Sequence, residues 1–183
     1  VGIDDFEARN SCKNINFLVA RIIFCFNTTV NIYMLSAHHQ RDDESQEHTT
    51  GAGLLRAVPV NVVQSIRAFR VTELQSEAIR LGQHFLYANC AQALTRQQVL
   101  VSIAESFQLP KQFGKNYDVL RDCLTNVFHK AGEQPGFLVV LEQLPSTQKF
   151  DKEARENLLD AFRDAADFWA EKKVPFRVFF SFQ

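Results

Sequence analysis

Apolar and polar positions fall into two regimes along this chain, and the change comes near Gly51-Ala52-Gly53. Beyond it, short continuous apolar runs alternate with longer stretches whose apolar residues recur at helical spacing. His84 to Cys90 (HFLYANC) reads as a first strand. Thr95 caps a helix over Arg96 to Phe107, with Val99, Ile103, Ala104 and Phe107 on one face. Asn116 to Phe128 predicts a second helix, with Tyr117, Leu120, Leu124, Val127 and Phe128 inward. Phe137 to Leu141 (FLVVL) is unbroken and β-branched, as a strand buried on both faces of a parallel sheet requires. Phe150 to Lys172 predicts a long helix with a stripe of Ala154, Leu158, Leu159, Phe162, Ala165, Ala166 and Trp169. Phe176 to Phe182 (FRVFFSF) is the last strand. Two crossovers in that order imply an α/β fold, a three-stranded parallel sheet with packed helices.

Upstream, Val58 to Phe69 and Thr72 to Leu81 read as short helices. Leu74, Ala78 and Leu81 share a face of the second, Thr72 and Gln75 have capping-box spacing, and Gly82 stops it. Residues 36–50 (SAHHQRDDESQEHTT) lack apolar periodicity and read as a polar linker. Its histidines and acids have no fixed geometry for a metal. The division expected is residues 1–54 as an N-terminal extension and 55–183 as one domain with its core at 84–183. The chain opens on Val1 and its only methionine is Met34, which leaves open a true start at Met34. Phe17 to Leu35 has the length of a membrane span, but Arg21, Asn27, Thr28, Thr29 and Asn31 interrupt it, so no membrane role is expected.

Charge adds little direction. The formal net charge is −1 and the apolar fraction 46%, ordinary for a globular protein and without a global pull toward nucleic acid. Cys12, Cys25, Cys90 and Cys123 are scattered, with neither metal-ligand nor redox spacing, and favour a reducing, cytoplasmic setting. No GxSxG, P-loop, GxGxxG or HExxH is present, and no cofactor or metal is expected. Cys123 and His129 are six apart, on different helical faces, and make a poor nucleophile and base. The carboxylates are more informative. Asp118 and Asp122 are four apart and project from one helix face, shared by Arg121 and Thr125. Like charges at that spacing weaken a helix slightly, an effect that Arg121 offsets if it pairs with Asp118. Asp160, Asp164 and Asp167 form a second acidic row beside Arg163.

The run from Leu109 to Thr125 (LPKQFGKNYDVLRDCLT) carries a resemblance. Leu-Pro, an aromatic-Gly turn, Asn, and Asp-x-Leu-x-Asp-Cys-Leu-Thr stand in register as in the barstar family. Gly136 to Glu142, Leu158 to Ala165 and Val174 to Phe182 look like that family's second strand, last helix and last strand. The resemblance covers about residues 84–183, and 55–83 look like the extension of longer members.

What the resemblance implies is not an enzyme but a barstar-like protein inhibitor of a barnase-type ribonuclease, an immunity protein or antitoxin that is a monomer when free. It would bind the nuclease and no nucleic acid directly, presenting carboxylates where RNA phosphates would sit. Asp122 then matches the aspartate inserted into the phosphate site. Asp118 matches its neighbour, Asp164 the acid of the last helix, and Gly114 the turn that approaches the partner. Departures fall at Gln112, Arg121 and Val127, where the family has aromatics, and aromatics usually carry interface energy. Arg121, Gln112 and Thr125 would set specificity. Residues 84–183 carry twelve acidic and twelve basic residues, so long-range steering toward a basic nuclease would be weak. The alternatives are a barstar-fold interaction module for another partner, a hydrolase built on Cys123 or the paired aspartates, and a membrane-tethered immunity protein.

Overall fold

A computed structural model describes residues 53–67, 69–109 and 116–183, all within the unit Ala52–Gln183. The apolar run 17–35, the sequence 36–50 expected to be a linker, and residues 110–115 with Gln112 and Gly114 lie outside the described residues. Four strands and four helical stretches follow one another: β1 (Val62–Ser65), α1 (Val71–Arg80), β2 (His84–Asn89), α2 (Arg96–Ser106), α3, β3 (Phe137–Leu144), α4 (Lys152–Glu171) and β4 (Phe176–Phe182). Helix α3 is composite: an α segment Tyr117–Asp122, a π-helical turn Cys123–Val127 and a last α-turn Phe128–Lys130.

All four strands are parallel, in the order β1-β4-β3-β2. The sheet is therefore four-stranded, not three-stranded as expected. The fourth strand comes from Val58 to Phe69, which reads as a helix in sequence. β1 forms because β4 offers an unpaired edge: the Ile66 N–H donates to the Phe180 carbonyl at 2.8 Å. At the other end the Phe176 N–H donates to Asn61 Oδ1 at 2.7 Å. Asn61 itself sits at φ +57°, a left-handed conformation Asn tolerates.

Alternation divides the core into two layers. On one face, Phe137, Val139 and Leu141 of β3 and Phe176 and Val178 of β4 are buried. Phe137 packs there against Phe128, Trp169 and Phe176 at ring separations of 5.1–5.5 Å. On the other face, Leu138, Val140 and Phe179 are buried with Leu55, Leu74 and Ala78. Leu54, Val58, Ile66, Phe69 and Val71 pack over them. Residues 54–78 thus roof the second face of the sheet.

Caps set the helix starts. Thr95 makes the expected box, its hydroxyl accepting from the Gln98 N–H while Gln98 Oε1 accepts from the Thr95 N–H. Asn116 and Asp151 accept from the N–H groups of Val119 and Ala154. Thr72 does not cap α1. That helix begins one residue earlier, and the Glu73 carboxylate accepts from the Arg70 N–H at 3.1 Å. Gly82, at φ +65°, lets the chain turn from α1 into β2.

Candidate functional site

Helices α3 and α4 run side by side in the same direction. Tyr117 Oη donates to the Ala154 carbonyl at 2.8 Å, and Trp169 Nε1 donates to the Leu124 carbonyl at 2.8 Å. These two ties, one near each end, hold the acids of α3 in place against those of α4. The second falls within the π-helical turn, the kind of local widening found often at functional positions. Thr125 lies in the same turn, buried, and its hydroxyl donates to the Arg121 carbonyl at 2.8 Å. It shares the region of the two aspartates but keeps its hydroxyl for its own helix.

Asp118, Asp122 and Asp164 come together around one shallow depression of about 390 Å3, whose walls include Asn126 and Phe168 and whose floor includes Thr125. Arg121 stands between the three acids. Its Nη2 donates to Asp118 Oδ1 at 2.6 Å and its Nη1 to Asp164 Oδ2 at 2.8 Å. The arginine thus offsets Asp118, as its position suggests, and also bridges to the neighbouring helix. Its hydrogen bond to Asp164, with the added charge of Asp118, raises the guanidinium pKa above its usual value. The side chains of Arg121 and Asp164 are 45% and 48% exposed and that of Asp118 82%, so these pairs add little to stability. Their consequence is for the charge this face presents.

Asp122 is treated differently. Its Oδ1 accepts from Asn126 Nδ2 at 2.7 Å, and among the described residues no lysine or arginine reaches it within ion-pair distance. It is an exposed carboxylate of the depression, and among the described residues no cation neutralises it. Earlier on α4, Asp160 and Glu156 pair with Arg163 at 2.5 and 3.3 Å, which offsets Asp160 within the second acidic row. A second depression of about 220 Å3 adjoins the first and shares Asp118, Arg121 and Asp164. At its edge the Arg96 guanidinium lies 4.7 Å from the centre of the Tyr117 ring.

Sequence reasoning missed Phe168 and Asn126. Both stand four residues beyond a named acid, after Asp164 and Asp122, so helical spacing alone places them beside those acids. Phe168 packs edge-on to His129 and Trp169 and puts an aromatic surface where positions 121 and 127 carry none.

Cys123 is fully buried, and burial, aided by the Asp122 charge, pushes its thiol up to about 12. Burial pushes Cys90 up to about 11. Neither thiol can serve as a thiolate nucleophile near neutrality. Alkylation of the native protein at about pH 8, followed by peptide mapping, is expected to spare both and to label both after unfolding. Labelling of Cys123 in the folded protein would restore the nucleophile reading. Among the described residues no group of three or more histidine, cysteine or carboxylate side chains could hold a metal ion, and no helix is long and apolar enough to cross a membrane.

A family model described as Barstar (barnase inhibitor) matches residues 83–181. No curated protein matches the chain.

Proposed function

The chain belongs to the barstar family, and from that premise we propose that it inhibits a barnase-type ribonuclease by seating the carboxylates of α3 and α4 in the nuclease's phosphate-binding site. The observation that carries the reading is Asp122, an exposed carboxylate in a depression between two helices, with no ion-pair partner among the described residues. A site built to bind RNA phosphates offers arginine, lysine and histidine. A carboxylate accepts the same charge-assisted hydrogen bonds that a phosphate does. Asp118 and Asp164 flank it, and Phe168 supplies aromatic contact. The action is occlusion. It needs no cofactor and breaks no bond, and it suits an immunity protein or antitoxin acting in the cytoplasm, where its thiols stay reduced.

Titration of the full chain into a barnase-type ribonuclease, following RNA cleavage, tests this. Stoichiometric inhibition is expected, weakened at least tenfold in Asp122→Ala. The same Asp122→Ala chain should unfold at the wild-type urea midpoint, because the residue is exposed and its hydrogen bond to Asn126 is local. One observation favours a second reading, a barstar-fold interaction module for another protein: Arg121 already occupies two of the three acids. Absence of inhibition by folded wild type would favour that module.

A further inference from the structure

We infer that Arg121 is a built-in competitor for Asp118 and Asp164, and that it selects for a partner presenting one concentrated cation to Asp122 beside a hydrogen-bond acceptor for the arginine. The inference rests on the inhibitor reading only for the identity of that partner. The clamp is a property of this chain.

The geometry is specific. One guanidinium uses separate nitrogens to hold a carboxylate on its own helix at 2.6 Å and one on the next helix at 2.8 Å. A planar fork bound at two points is worth more than a lysine in its place, because little is lost to immobilise it. An incoming cation aimed at Asp118 or Asp164 must therefore either displace Arg121 or approach it against like-charge repulsion. Asp122 opens onto the same depression and among the described residues carries only an amide hydrogen bond, so it stays available. Two of the three acids are thus compensated internally and one is not. A broadly basic surface meets repulsion over most of this face. A lone cation at Asp122, with a carboxylate or carbonyl oxygen where Arg121 stands, meets less. The discrimination is by an added repulsive element, a common way to exclude wrong partners.

Arg163 provides the comparison that separates a clamp from bulk charge. It carries the same charge on α4, but it holds Glu156 and Asp160 and does not line this depression. Hexa-arginine peptide is titrated into the full chain at low salt (about 20 mM), and binding is read from the amide NMR shifts of Asp118, Asp122 and Asp164. Arg121→Ala is expected to tighten binding about tenfold, with the largest new shifts at Asp118 and Asp164, while Arg163→Ala changes affinity by no more than about twofold. Arg121→Gln, which keeps most of the side-chain stem, should behave as Arg121→Ala does. The clamp is overturned if Arg163→Ala tightens binding as much as Arg121→Ala, or if both Arg121 variants bind as wild type does. A parallel titration with the barnase-type ribonuclease keeps the two readings apart. Lack of inhibition by every variant would sink the inhibitor proposal while the peptide result still decides the clamp.

Discussion

A chain cut to begin at residue 83, where the family match starts, is expected not to fold as a soluble monomer. Three side chains that the cut would uncover, Leu138, Val140 and Phe179, are fully buried under residues 54–78. Each full burial is worth about 2 kcal/mol, so these three alone approach the about 5–15 kcal/mol by which a whole domain is stable. Phe85 and Tyr87 would lose part of their cover as well. The cut also removes β1, and β4 then becomes an open edge. Its sequence, FRVFFSF, is aromatic-rich with one charge, and an exposed edge of that kind recruits other chains. The measurement is size-exclusion chromatography with urea unfolding of residues 83–183 beside the full chain. Aggregation, or loss of a cooperative transition, is expected. A monomer unfolding at the full-chain midpoint would show that the roof is dispensable.

Removing Glu77 is expected to be the most damaging single substitution of a charged residue on that roof. Glu77 lies on α1, only 4% exposed, and its two carboxylate oxygens accept from Arg80 Nε and Nη2, each at 2.8 Å. Beneath it Arg177 projects from β4, 8% exposed, its Nε without a hydrogen-bond partner among the described residues. Burial lowers the Arg177 pKa, and the Glu77 charge opposes that shift. Among the described residues Glu77 forms its ion pair with Arg80, and it favours the Arg177 charge from beyond ion-pair distance. Glu77→Ala breaks both hydrogen bonds to Arg80 and withdraws a favourable charge from Arg177, at a cost of about 2 kcal/mol. Arg177→Met removes the charge at similar volume and should be neutral or stabilising. The double variant should recover the part of the loss that comes from Arg177, and that non-additivity in urea midpoints is the signature to look for. Additive losses would mean the two residues do not communicate.

The same pair predicts a pH dependence. The Arg80 hydrogen bond, more than the opposing effect of burial, holds the Glu77 carboxyl below its ordinary value, with further help from the charges of Arg80 and Arg177. A carboxyl depressed in the folded state contributes stability that is present above its unfolded pKa of about 4.3 and is lost as pH falls through the folded value. Wild type should therefore lose stability on acidification below about pH 5 more steeply than Glu77→Gln does. Parallel slopes would remove Glu77 from the account.

How much of this was readable beforehand differs by element. Leu109 to Thr125 carried the family in its spacing, and its Asp118 and Asp122 are one helical turn apart whatever they pack against. Helix α2 declared its own start, because Thr95 and Gln98 satisfy each other locally. β3 showed itself as an unbroken apolar run over Phe137 to Leu141, and β4 as an aromatic-rich run of strand length. Val58 to Phe69 failed for the opposite reason. Its apolar residues fit no period well, and it became partly strand only because β4 had an unsatisfied edge to offer. Thr72 had the cap spacing, yet Glu73 reached the Arg70 N–H and moved the start of the helix.

The candidate site divides along the same line. Residue identity and helical period determined which acids exist, that Asp118 and Asp122 share a face, and that Arg121 can reach Asp118 one turn back, since those relations are local to one helix. Tertiary structure decided what each acid is worth. The ties of Trp169 to Leu124 and Tyr117 to Ala154 set α4 beside α3, and only then can one guanidinium take Asp164 as well as Asp118. Among the described residues Asp122 thereby remains the acid of the three without a cation, a distinction that no spacing along the chain contains, because it depends on which charges meet across two helices.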